Sequence, residues 1–117
     1  MKYMLLIHGD ETRMNTATPP GAGMSPEFAS YDEAMRKAGI VLAGERLRPT
    51  NTATSVRVKD GKADVLDGPY AETKEQFGGF YMIDVPDLDQ AVAWAARCPA
   101  ARQGTIEIRP IWPTDGR

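Results

Sequence analysis

Apolar positions in this chain fall into several short runs rather than one long stripe. KYMLLIH, residues 2–8, is apolar at nearly every position and is bounded by GDE. A run that short, apolar on both parities, predicts a strand covered on both faces. GGFYMIDV, residues 78–85, reads the same way. IVLAGERL, residues 40–47, is a third strand, and GTIEIRPIW, residues 104–112, alternates. Ile106, Ile108 and Trp112 share one side of that last strand. Thr105, Glu107 and Arg109 share the other, wetter side.

Helical spacing appears twice. Ser25 and Pro26 give an N-cap followed by proline at the first helical position. Phe28, Tyr31, Met35 and Ala38 then form an apolar stripe, with Asp32, Glu33, Arg36 and Lys37 among the polar residues opposite. Gly39 suits a left-handed cap, so a helix is predicted over Pro26–Ala38. Asp87 opens the second helix, with Gln90 three residues on in a capping-box-like pair. Leu88, Ala91, Val92 and Ala95 make its stripe, Trp94 and Cys98 flank it, and Pro99 stops it.

Turn chemistry fills the rest. GDETRMNTATPPGAGM, residues 9–24, predicts a long loop of the kind that serves as a lid or binding loop. TSVRVKDGKADVLDG, residues 54–68, predicts a hairpin turning at Asp60-Gly61, with polar arms near a sheet edge. The order is therefore β-α-β, a hairpin, then β-α-β. Two split β-α-β units predict one α+β domain over residues 1–117, ferredoxin-like with an inserted hairpin. Two helices cover only one face of such a sheet, while two of its strands are apolar on both. A second copy of the chain is the simplest cover, so a homodimer packed sheet to sheet is expected, with folding-over of the loop and hairpin as the alternative.

Composition narrows the function classes. The chain has 117 residues, 42% of them hydrophobic, and a net charge of −2. That charge argues against nucleic acid as a partner. The apolar start is too short to span a membrane and lacks a small-residue cleavage site. With one cysteine, no disulfide forms within the chain, and a cytoplasmic setting is expected.

Candidate chemistry is sparse. His8 is the sole histidine. It ends the first strand and suits proton transfer near neutral pH; a strand-end histidine bonded to backbone is the other reading. Asp67 leaves the hairpin in Asp67-Gly68-Pro69-Tyr70, where it either locks a turn or presents a carboxylate to a pocket. His8 and Asp67 are expected to line one cleft as an acid–base pair. Tyr81, Arg46 and Glu72 are expected ligand contacts beside them. Tyr81 also reads as a core tyrosine with a satisfied hydroxyl, and Glu72 as part of a solvated charged turn. Glu45 and Arg46 fall on opposite sides of their strand. Cys98 reads as inert packing. No ligand spacing for a metal, phosphate loop, nucleophile elbow or dinucleotide fingerprint occurs, so no cofactor is expected.

DGPYAETKEQFGGFYMIDV, residues 67–85, resembles the DGPF motif of YCII-related domain proteins, with Tyr70 where phenylalanine is usual. KYMLLIHGDE, AGERL and DLDQAVAWAARCP resemble the same family, so the resemblance spans the chain. It implies a ferredoxin-like fold of the dimeric α/β-barrel type. It also implies either a small enzyme or ligand binder, or a regulatory protein working with an extracytoplasmic-function sigma factor. A His and Asp in a cleft have been proposed as catalytic in YCII proteins. The early helical segment that usually carries the histidine, PEFASYDEAM here, has none.

Overall fold

The computed structural model describes residues 1–14 and 23–115. Strands β1 (Lys2–Gly9), β2 (Val41–Arg46), β5 (Gln76–Asp84) and β6 (Thr105–Pro110) form one antiparallel sheet in the order β2-β5-β1-β6. Strands β3 (Thr54–Lys59) and β4 (Lys62–Asp67) form a separate two-stranded ribbon. Helices α2 (Pro26–Lys37) and α3 (Leu88–Arg97) pack on the sheet, and a single turn, α1 (Glu11–Met14), follows β1. The fold is α+β, as the pattern predicts. The segment expected to be a long loop begins with that helical turn, and its residues 15–22 lie outside the described residues.

Caps form where the sequence places them. The Ser25 hydroxyl accepts a hydrogen bond from the Phe28 amide at 3.3 Å, and the Asp87 carboxylate accepts one from the Gln90 amide at 2.9 Å. Each satisfies a donor that the first helical turn leaves without a partner.

One face of the sheet holds the core. Tyr3, Leu5 and Ile7 of β1 and Tyr81 and Ile83 of β5 are buried there against Tyr31 and Met35 of α2 and Ala91 and Ala95 of α3. Leu5, Met35 and Ile83 are fully enclosed. Met4, Leu6, Phe80 and Met82 point to the other face and are only half-buried in the single chain. Within the single chain the helices thus cover one face of the central strands.

Three further differences concern the hairpin, the second main helix and Trp112. The hairpin does not extend the main sheet. It closes on itself at Asp60 and Gly61, both at positive φ, and leaves Val56, Val58 and Val65 exposed. Leu88 and Val92 are half-exposed, because α3 buries the line through Ala91, Ala95 and Cys98 instead. Trp112 lies past the end of β6 and is 86% exposed, so it does not share the packing of Ile106 and Ile108.

Candidate functional site

A cleft of about 810 Å³ opens between the core face of the sheet, α2, and the turn after α3. Its floor depends on two glycines. At Gly44 on β2, a Cβ would stand 2.6 Å from Cδ1 of Tyr81, so only glycine lets the Tyr81 ring lie across β2. At Gly79 on β5, a Cβ would stand 2.8 Å from the Glu45 carbonyl oxygen. Gly78 beside it is the extra residue of a bulge, since Ile7 pairs with Gly79 while His8 pairs with Phe77. The Leu47 amide donates to the Gly78 carbonyl at 2.9 Å, carrying the β2–β5 contact past the bulge.

The polar centre of the cleft is Asp32. Its Oδ1 accepts from the Tyr81 hydroxyl at 2.8 Å and its Oδ2 from Nε of Arg36 at 2.8 Å. The Asp32 side chain is 14% exposed and Arg36 is 56% exposed, so the pair runs from the core to the open cleft. Arg36 foremost, then the Tyr81 hydroxyl, hold the Asp32 carboxyl below the usual carboxylate range, against burial. Tyr81 moves the other way. Burial first, then its hydrogen bond to the Asp32 carboxylate, push its hydroxyl well above the ordinary tyrosine range. Asp32 is an anion and Tyr81 a neutral donor at neutral pH. Tyr31 packs edge-on against the Tyr81 ring at 5.9 Å and donates to the Trp94 carbonyl at 2.8 Å, which fixes the ring from behind.

Glu11 also lines the cleft. Its carboxylate accepts from the Thr50 amide at 3.0 Å and also from the Thr50 hydroxyl. Its own amide donates to Oε1 of Gln76 at 2.9 Å. Gln76 opens β5, so Glu11 links α1, β5 and the segment after β2. Much of the remaining lining surface is apolar, with Phe28, Leu47, Pro49 and Ala100 contributing.

Of the residues expected at the site, Tyr81 and Arg46 line this cleft. The structure does not bring His8, Asp67 and Glu72 to it. Strand parity sends His8 to the face of Met4 and Leu6, where its Nε2 lies 3.1 Å from Oε1 of Glu107 and its ring 5.5 Å from that of Phe77. Asp67 ends β4 opposite Thr54 on the separate ribbon and is exposed, as is Glu72. Asp32 reads from the pattern as one of the polar residues of its helix, and its place in the cleft is not expected from the sequence. The available signal was its position at the margin of the apolar stripe, beside Tyr31 and four residues before Arg36. Cys98 is buried, and burial raises its thiol pKa, consistent with packing.

Among the described residues, no group of three or more His, Cys, Asp or Glu side chains is placed to hold a metal ion. Among them, too, no helix is long and apolar enough to cross a membrane.

Comparison with known proteins follows the same lines. The family model of the YCII-related domain matches residues 1–115. A protein of Rhizobium meliloti (strain 1021), itself described as uncharacterised, is 33% identical over 114 residues, covering 95% of this chain and 92% of its own length. The chain belongs to the YCII-related domain family.

Proposed function

We propose that this protein binds a small organic molecule in the cleft between α2 and the sheet, and does so as a cytoplasmic homodimer. The observation that carries the ligand reading is the cleft itself. Its 810 Å³ lies within the range of small-molecule sites, mostly apolar with a few convergent polar groups. We do not extend the proposal to catalysis by His8 and Asp67, since neither lines the cleft.

The homodimer is supported by two uncovered surfaces. The sheet face of Met4, Leu6, Phe80 and Met82 is half-buried, and the ribbon stands off with three exposed valines. Its separation accords with a radius of gyration of 16.1 Å, where a compact chain of this length has about 13 Å. The strand order β2-β5-β1-β6 supports a ferredoxin-like arrangement, and the open sheet face suits the sheet-to-sheet packing of a dimeric α/β barrel. The exposed valines also suit a regulatory contact with a sigma factor. A chain that stays monomeric in solution and takes up no small molecule would favour that reading.

A thermal-shift screen of metabolite-sized compounds tests the ligand reading. Hits should raise the melting temperature of the native protein and lose that effect in Leu47→Trp, which fills the cleft from its wall. Hits that act equally on both proteins would place the binding elsewhere and end the proposal.

A further inference from the structure

Resting on the ligand cleft just proposed, we infer that its ligand is an organic anion with an apolar body, held by the guanidinium groups of Arg36 and Arg48. Formal charge alone would not say so, for four arginines and four carboxylates line the cleft. What separates the two sets is that Asp32, Glu11 and Glu27 are already bound to donors of the chain itself. Both oxygens of Asp32 are engaged by Tyr81 and Arg36. Both oxygens of Glu11 are engaged by Thr50. Glu27 is paired with Arg102 at the rim. Glu45 borders the cleft on β2 but alternates with Gly44 and Arg46, so strand parity directs its carboxylate away from the face those two share.

The arginines retain donors. Arg36 uses Nε on Asp32, which fixes its plane and leaves the Nη edge, the edge that grips a carboxylate or sulfonate through parallel hydrogen bonds. Arg48 makes no hydrogen bond or ion pair among the described residues and sits on the segment after β2, lining the same cleft. The same cleft is lined by the apolar side chains of Phe28, Leu47, Pro49 and Ala100. A neutral polar molecule would leave the guanidinium donors unused. A small inorganic anion would leave the apolar walls wet. An anionic group on a ring or short chain uses both.

Two dyes that differ only in charge provide the test. Anilinonaphthalenesulfonate carries a sulfonate on the apolar body of neutral phenylnaphthylamine. Fluorescence titration of the native protein should give at least about tenfold tighter binding of the sulfonate. Arg48→Gln and Arg36→Gln should each reduce that preference several-fold and their combination abolish it, with neutral-dye binding and circular dichroism unchanged. Equal affinity for the two dyes, or a sulfonate preference indifferent to both arginines, overturns the anion assignment. Leu47→Trp separates this from failure of the cleft reading: if it leaves the binding of both dyes intact, the dyes sit elsewhere and the cleft reading fails with it.

Discussion

Removing one oxygen atom, in Tyr81→Phe, probes the centre of the cleft without opening a cavity. The ring stays, with its edge contact to Tyr31, and only the 2.8 Å hydrogen bond to Asp32 is lost. A hydrogen bond to an ionised partner contributes about 1.5–3 kcal/mol. Here Asp32 keeps Arg36 and its 14% exposure to water, which offset part of the loss, so about 1–2 kcal/mol is expected. Asp32→Ala should cost about 1–3 kcal/mol, because it strands the hydroxyl of a buried tyrosine. Its share from Arg36 is small, that residue being largely exposed. The double variant should cost less than the sum by about 1 kcal/mol, the mark of a direct contact. Urea unfolding followed by tryptophan fluorescence, at one fixed protein concentration, gives all four stabilities. The sign with pH follows from Asp32. Its folded pKa lies below the unfolded one, so its contribution is complete above the ordinary carboxylate value of about 4 and fades as pH falls through the lower, folded value. Additivity within about 0.3 kcal/mol at neutral pH would refute the contact.

Gly44→Ala should cost about 1–3 kcal/mol and weaken any cleft ligand, since its Cβ meets the Tyr81 ring at 2.6 Å; unchanged stability would mean the ring does not lie across β2. Gly68→Val should cost about 1–3 kcal/mol for a different reason, its φ of +114°, as no atom lies within 4 Å of a Cβ there; an unchanged urea midpoint would contradict that conformation. Light scattering should give twice the chain mass at micromolar concentration. Leu6→Glu, which places a charge in the proposed sheet-to-sheet contact, should return a monomer; a variant that stays dimeric would move the interface elsewhere.

Periodicity reached most of the fold. Ser25, Pro26 and Asp87 mark helix starts because capping is local chemistry, and the four main strands follow from runs that only a sheet can bury. What escaped was set by partners distant in sequence. Val56 and Val65 show a strand pair, yet nothing in them says whether the ribbon joins the main sheet. Leu88 and Ala95 fit one helical stripe equally well until the sheet selects which part of it to bury. Tyr81 and Arg46, expected as ligand contacts from a hydroxyl on an apolar strand and a charge at a strand end, both border the cleft. His8 suits a cleft by residue type and by its place at a strand end, but its parity with Met4 and Leu6 assigns it to the other face. Asp32 meets Tyr81 across 49 residues, a pairing that no local pattern encodes.

Soaking crystals of the protein in mixtures of small fragments tests the central claim most directly, because it maps where the surface accepts a ligand without presuming which. The account predicts that fragments collect in the cleft over Gly44 and Gly79, with polar groups against Tyr81 and Arg36. A cleft left bare by fragments that bind elsewhere on the chain would contradict it.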